Sequence, residues 1–370
     1  MAMVKFGNIV RDVKINVDRS NNPYKHYIAG DHMDSEDLTI HRHGDFATDD
    51  VGPAFTRIFK PGQILYGSRR TYLKKIAVAD FSGICANTTF VLESKNETIF
   101  LTRLLPFIML SESFTRWSIA HSKGSTNPYV LFSDLADYEF DLPPIEEQRM
   151  LADKLWAAYR LKESYKKLLT ATQEMVKSQF IEMFGNPVAN NKGWSTMALK
   201  QVAPEEPSRE RQTGTVWILN LDMIESHTGK IIDNVYDEDT NLLSVVPFDE
   251  GNVLYSKLRP YLNKVVIPKG KGYATTELVP LRPNQEYLNL TFFSHLLRGD
   301  DFATYANTIS SGTKMPRMPL NDLRNFQCIL PPMEEQLKFE KVAEQADKSE
   351  FELRKSIEAI DQVIKSLINY

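Results

Sequence analysis

The sequence has few of the features that mark secreted or membrane proteins. Only two of its 370 residues are cysteines, Cys85 and Cys328, and they lie far apart. This excludes a disulfide framework and a cysteine-rich zinc site, and it fits a reducing compartment. No run of about eighteen apolar residues occurs, so we expect no membrane-spanning segment. Residues 1–18 alternate charged and apolar side chains without the apolar core of a signal peptide, which predicts a cytoplasmic protein.

Motifs for catalysis and cofactor binding are also missing. The chain has no G-x-x-x-x-G-K-[ST] loop for ATP phosphates. Residues 127–129 read Asn-Pro-Tyr, one proline short of the motif of DNA amino-methyltransferases, and no glycine-rich cofactor loop accompanies them. His32, His41 and His43 lie near several aspartates, but their spacing matches no metal-ligand pattern and indicates a solvated polar loop. We therefore predict no catalytic residues, no cofactor and no metal.

The charge and size of the chain set further bounds. The formal net charge of −4 argues against a protein that binds nucleic acid over its whole surface. It leaves room for a local basic strip, because phosphates respond to clustered Lys and Arg. With 42% hydrophobic residues, the chain can bury a sizeable core, and its length indicates two domains or more.

The chain contains an internal repeat. Residues 142–148 read LPPIEEQ and residues 330–336 read LPPMEEQ, which is an offset of 188 from Leu142 to Leu330. Upstream, GQILYGSRRTYLKK at 62–75 matches GNVLYSKLRPYLNK at 251–264, an offset of 189 at the first glycine of each. Separate matches at nearly one offset predict a tandem duplication.

Each LPPxEEQ motif opens a long segment with helical character. Residues 145–184 and 333–370 contain neither Pro nor Gly, and the Pro pair with two acidic residues favours a helix start. A helix of about 60 Å, at about 1.5 Å per residue, is longer than one domain can cover, so each helix should pack against the other. Heptad spacing gives the expected contact stripes, which are Ala158, Leu161, Tyr165, Leu168, Thr172, Met175 and Gln179 in the first helix and Val342, Ala346, Ser349, Leu353, Ser356, Ile360, Val363, Leu367 and Tyr370 in the second.

The remaining segments are rich in β-branched and aromatic runs with helical patches between them. The predicted fold class is therefore α+β. We expect globular domains at 1–143 and 188–331, with long helices at 144–187 and 332–370.

The chain resembles the Type I restriction specificity subunits. The resemblance rests on LPPIEEQ, LPPMEEQ, the FGNP stop at 184–187 and GNVLYSKLRPYLNK, and it covers essentially the whole chain. It implies two target recognition domains, with the helices as central and distal spacers packed antiparallel in a pseudo-two-fold arrangement. It also implies double-stranded DNA, two methyltransferase subunits and restriction subunits as partners. Exposed helix residues such as Trp156 and Tyr159 are expected to form docking surface.

Two pairs of loops are the expected DNA contacts. The first pair contains Ser-Arg-Arg at 68–70 and Lys-Leu-Arg at 257–259, and the second consists of the small-residue loops at 121–129 and 310–318. Arg can fork onto guanine, whereas Lys more often meets phosphate. The two tyrosines sit between these charges, where we favour a structural role. The predicted DNA-binding residues are Arg69, Arg70, Tyr72, Lys74, Lys75 and Lys123 in the first domain and Lys257, Arg259, Tyr261, Lys264, Lys314 and Arg317 in the second.

Two unlike domains on a duplicated frame predict an asymmetric bipartite site. Half-sites of about three or four base pairs, on faces that recur about every 10 bp, leave a gap of roughly six or seven unread pairs. Three alternatives stay open. The chain could serve a methylation-based defence complex without a restriction subunit, which neighbouring genes would reveal. It could be a free-standing methyltransferase or nuclease, which a cofactor-binding assay tests. It could be a coiled-coil structural protein, which predicts DNA binding without sequence preference or salt dependence.

Overall fold

The computed structural model describes residues 2–18, 21–210, 212–238, 244–312 and 314–369. The chain forms two compact units. Unit 1 comprises Met1–Lys166 and Lys355–Tyr370, and unit 2 comprises Lys167–Arg354. Within the described residues, no helix has both the length and the apolar character needed to cross a membrane.

Unit 1 is a mixed α+β structure with three sheets among its described residues. Their strand orders are β1-β10, β2-β9-β6-β7 and β4-β3-β8-β5, and all neighbours are antiparallel except β3 and β8. The strands are β1 (Ala2–Lys5), β2 (Val10–Asp12), β3 (His26–Ile28), β4 (Gly44–Asp45), β5 (Phe55–Phe59), β6 (Ile64–Gly67), β7 (Ile76–Val78), β8 (Gly83–Ala86), β9 (Thr89–Ser94) and β10 (Glu139–Leu142). The helices are α1 (Phe6–Ile9), α2 (Leu105–Leu110), α3 (Glu112–Ala120), α4 (Phe132–Ala136) and the first part of α5 (Ile145–Phe184).

Unit 2 repeats this plan. Its sheets have the orders β11-β19, β13-β12-β17-β14 and β16-β15-β18, and among the described strands only β12 and β17 pair in parallel. The strands are β11 (Thr196–Ala198), β12 (Thr215–Leu219), β13 (Val235–Glu238), β14 (Val245–Phe248), β15 (Val253–Ser256), β16 (Val265–Val266), β17 (Gly272–Thr275), β18 (Leu278–Leu281) and β19 (Gln327–Ile329). The helices are α6 (Leu199–Val202), α7 (Leu290–Arg298), α8 (Asp300–Ile309), α9 (Leu320–Asn325) and most of α10 (Met333–Ile368).

The glutamine of each LPPxEEQ motif anchors a long helix to its domain. Gln148 is fully buried, donates to the carbonyls of Ile99 and Pro143 and accepts from the Leu101 N–H. Gln336 makes the corresponding three bonds, which involve Tyr287, Pro331 and Asn289. Because a buried amide must satisfy all its polar atoms, this side chain fixes the point where the helix leaves the domain.

The two long helices run antiparallel to each other within each unit. In unit 1, Lys162 on α5 pairs with Asp361 on α10. In unit 2, Gln173 on α5 donates to Glu350 on α10 at 3.1 Å, and the rings of Phe180 and Phe339 pack with centroids 5.3 Å apart. The predicted fold class, α+β domains with long antiparallel helices in a tandem repeat, is confirmed.

The expected contact stripes on these helices are confirmed only in part. Ala158, Ala346, Ile360 and Leu367 pack against the cores of their units, whereas other positions are shifted by about one residue. Leu161, Leu168, Met175 and Val363 were predicted to lie in the seam, but each is between 45% and 52% exposed. The residues that face the partner helix or the domain include the polar Lys162 and Gln173, and an apolar pattern cannot register them. Tyr370, the last predicted stripe position, lies outside the described residues. The four-part domain division at 143, 187 and 331 stays a prediction.

Candidate nucleic-acid interface

In unit 1 the two predicted DNA-binding loops lie side by side. The Arg70 N–H donates to the Pro128 carbonyl at 2.7 Å, and Arg69 forms an isolated β-bridge with Tyr129. Tyr129 and Lys123 exchange both backbone hydrogen bonds, at 2.7 and 2.9 Å. We call this contact of residues 68–75 with 121–130 the junction of unit 1.

Unit 2 builds the same junction from residues 257–264 and 310–318, of which Thr313 lies outside the described residues. The Arg259 N–H donates to the Pro316 carbonyl at 2.7 Å, and Leu258 forms the bridge with Arg317. Arg317 in turn exchanges two backbone hydrogen bonds with Ser311, at 2.9 and 3.1 Å. The duplication therefore extends to individual hydrogen bonds of the candidate interface.

Left-handed backbone shapes both junctions. Arg70 and Arg259 have φ of 51° and 49°, and each precedes a short 3-10 turn, at Thr71–Leu73 and Pro260–Leu262. Such a conformation costs roughly 1 kcal/mol or more for a residue other than glycine, so its recurrence indicates that the surface requires this turn. The turn leaves the rings of Tyr72 and Tyr261 53% and 47% exposed.

Some predicted contact residues have no side-chain partner among the described residues. Arg69 and Arg70 are exposed in unit 1, and Lys314 is exposed in unit 2. Lys257 is half-buried, and the Nε of Arg259 is buried without a hydrogen-bond acceptor. These side chains have donors to offer to phosphate or to base edges.

Other predicted contact residues are engaged within their own unit. Lys74 pairs with Glu36 at 2.7 Å, and Lys123 pairs with Asp134 at 3.0 Å. Lys75 donates to the carbonyl of Gly30. Lys264 donates to the carbonyl of Leu221 at 2.6 Å, and burial lowers the pKa of Lys264. Arg317 is held by Glu277 at 2.8 Å. None of these contacts tests DNA binding, so the twelve residues stay a prediction.

An acid–base pair clamps each domain to the helix that follows it, and the sequence reading missed it. In unit 1, Asp37 accepts from Lys166 at 3.1 Å and from the hydroxyl of Tyr159 at 2.7 Å. In unit 2, Glu225 and Arg354, both 188 positions further on, pair at 2.9 Å. The one indication in the sequence was the repeat offset of 188, which relates Asp37 to Glu225 and Lys166 to Arg354.

The environment of Asp37 favours its charged form. Burial acts against ionisation, but the hydrogen bonds from Tyr159, the Thr39 N–H and Lys166 outweigh it and lower the pKa of Asp37 to about 2. Asp37, His41 and Glu163 offer ligand atoms within 4.8 Å of one another. The Lys166 ammonium already lies between the two carboxylates, 3.1 Å from Asp37 and 2.9 Å from Glu163, so this cluster is better suited to lysine than to a metal.

The expectation of an exposed docking surface is wrong for Tyr159, and Trp156 is partly buried. Tyr159 is 6% exposed, and the Trp156 indole packs edge-on against Phe107 while its Nε1 donates to the Arg103 carbonyl. Both side chains join α5 to the core of unit 1.

The fold and the paired junctions define a tandemly duplicated protein of two α+β units. Comparison with known proteins shows what the chain is similar to. Residues 18–171 match the family described as Type I restriction modification DNA specificity domain. The chain is 23% identical over 318 residues to the Type I restriction enzyme EcoDI specificity subunit of Escherichia coli, across 72% of this chain and 70% of that one. It is 23% identical over 314 residues to the MjaVIII specificity subunit of Methanocaldococcus jannaschii, across 78% and 73%.

Solved structures agree at the level of the fold. The Type I restriction-modification S subunit from M. genitalium aligns with a TM-score of 0.57 at 13% identity, over 99% of this chain and 94% of that one. A chain from a structure of the type I R-M system aligns with a TM-score of 0.55 at 18% identity, over 99% and 96%. The chain is similar to the Type I restriction specificity subunits over most of its length, which agrees with the resemblance that its motifs indicated. The two relatives are named as specificity subunits, which agrees with the prediction that this chain is not itself an enzyme.

Proposed function

We propose that this chain is the DNA-reading subunit of a Type I restriction-modification complex and that each domain binds one half of an asymmetric bipartite site. The observation that carries the proposal is the recurrence of one junction geometry in both units with different side chains on it. Equivalent backbones present equivalent surfaces to DNA, while unlike side chains read unlike bases. The antiparallel helices act as the spacer that sets the unread gap.

The twelve predicted contact residues divide by role in this proposal. Four arginines, Arg69, Arg70, Arg259 and Arg317, are suited to base edges or phosphates, and the lysines to phosphates. The two exposed tyrosines pack against the sugar–phosphate backbone or support the turn. The complex acts on DNA in the cytoplasm.

Catalysis belongs to partner chains in this proposal. Two methyltransferase subunits dock on this protein, and restriction subunits join them. Each unit offers exposed apolar side chains on its helices for such contacts. They include Met150 and Leu161 in unit 1 and Met175 and Phe351 in unit 2.

The test is to map methylated adenines in DNA from cells that express this chain with its cognate methyltransferase. The proposal predicts one gapped, asymmetric motif with a modified adenine on each strand. A continuous motif, or methylation that persists without this chain, would contradict it. If the chain has no methylating partner and binds DNA without sequence preference, the alternative of a coiled-coil structural protein would be favoured.

A further inference from the structure

Among the charge differences between the two junctions, one concerns a paired acid and base. The Ser68 N–H donates to the Thr88 carbonyl at 3.0 Å in unit 1, and the Lys257 N–H donates to the Glu277 carbonyl at 3.1 Å in unit 2. Thr88 and Glu277 are therefore equivalent. Tyr129 and Arg317 are equivalent by their matching bridges. Unit 2 thus has an acid–base pair where unit 1 has two uncharged side chains.

Glu277 binds Arg317 through two nitrogens of the guanidinium. Its Oε1 accepts from Nε at 3.1 Å and from Nη2 at 2.8 Å. Arg317 is nevertheless 45% exposed, and the carboxylate is 21% exposed. A guanidinium in this arrangement has its charge compensated, and it cannot offer the same N–H groups to a phosphate at the same time. An exposed pair of this kind contributes little to folding.

We propose that Glu277 is a specificity-determining residue of the second recognition domain. Its carboxylate keeps Arg317 from phosphates of non-target DNA and yields it only to a target half-site that offers a better partner, such as the O6 and N7 acceptors of guanine. This inference rests on the proposed DNA-reading function. Unit 1 has no acid–base pair at the equivalent positions, Thr88 and Tyr129, and its exposed Arg69 and Arg70 have no carboxylate partner among the described residues.

The direct test is Glu277→Gln in the full chain, with DNA binding measured by fluorescence anisotropy across a salt series. The variant should bind a random-sequence duplex about five- to tenfold more tightly at ~0.1 M salt, and its log K against log salt should steepen by about 0.9, as for one further neutralised phosphate. Affinity for a duplex carrying the methylated motif should change less. The ratio of target to non-target affinity should therefore fall.

A matched control exists in the same unit. Glu205 holds Arg324 at 2.7 Å with nearly the same exposure, 26% for the acid and 48% for the base, and Arg324 lies on α9, outside the junction. Glu205→Gln should leave non-target binding at the wild-type level. Equal gains in both variants, or no gain for Glu277→Gln, would overturn the role of Glu277.

The reciprocal change tests the same idea in unit 1. Thr88→Glu adds a carboxylate at the equivalent position and should weaken binding to the random-sequence duplex, and unchanged or tighter binding would count against the inference. If neither the wild-type chain nor any variant binds DNA, the proposed function itself fails and this inference fails with it.

Discussion

The two units share the backbone of their junctions and differ in the charges placed on it. Arg70 and Arg259 have the same left-handed conformation and the same 2.7 Å bond to a proline carbonyl. The neighbouring position is Arg69 in unit 1 and Leu258 in unit 2. A duplicated surface can acquire two separate ligand preferences in this way, because side chains can change while the frame that aims them stays fixed.

The clamps between domain and helix show a second difference. Asp37 has Lys166, Tyr159 and a backbone N–H as partners, whereas Glu225 has Arg354 alone among the described side chains. Glu225 and Arg354 are each a third exposed. We therefore expect the first domain to depend more strongly on its clamp, because buried and multiply bonded charges matter more than exposed pairs.

The largest expected effect concerns a feature that the two units share. Gln148→Ala and Gln336→Ala each remove three hydrogen bonds from a buried amide and leave backbone groups unsatisfied. Each should destabilise its own unit by about 3 kcal/mol. Urea unfolding followed by hydrogen–deuterium exchange, with peptides assigned to each unit, measures this. If only one of the two variants destabilised its unit, the two glutamine anchors would not be equivalent.

The clamp of unit 1 should make its stability depend on acid pH. The pKa of Asp37 falls from 3.8 to about 2 on folding. A lowered carboxyl pKa stabilises the fold above the unfolded value and loses that contribution as pH falls from 3.8 towards 2, here about 2 kcal/mol. Asp37→Asn should therefore cost about that much at pH 7 and close to nothing at pH 2. Glu225→Gln should cost under about 1 kcal/mol at pH 7. Equal losses of stability at pH 7 in Asp37→Asn and Glu225→Gln would contradict the expected difference between the two clamps.

The smallest expected effect concerns Arg69, a charged residue whose equivalent in unit 2 is Leu258. Arg69→Ala should weaken binding to non-target DNA by up to about tenfold at ~0.1 M salt and reduce the salt slope by about 0.9. Leu258→Ala, the matched change in unit 2, should alter neither quantity. Salt-dependent binding that is the same in both variants would show that Arg69 does not meet phosphate.

Much of the architecture was predictable because the duplicated segments still share recognisable sequence motifs. The LPPxEEQ motifs, the absence of Pro and Gly after them, and the GQILYG and GNVLYS segments predicted two α+β domains and two long helices. Part of the seam between the helices was misplaced by about one position, because its interior includes Lys162, Gln173 and Glu350. Periodicity of apolar residues does not register a seam that is partly built from paired polar groups.

The candidate site was less predictable, because its contacts join residues distant in sequence. The loops were identified from their lysines and arginines, but the partner of Arg317 is 40 positions away at Glu277. Likewise, nothing local indicates that Lys264 is turned towards the Leu221 carbonyl. The final glutamine of LPPxEEQ is repeated in the sequence. Its anchoring role was not predictable, because it depends on buried backbone groups that only the fold brings to it.

The measurement that tests the two-domain account most directly is a domain exchange. Residues 188–331 would be replaced by the corresponding domain of another specificity subunit, and methylated adenines would be mapped with the same methyltransferase partner. The account predicts a motif in which one half-site changes, while the other half-site and the unread gap stay as they were. A motif that changes in both halves, or one that does not change at all, would contradict the claim that each domain reads its own half.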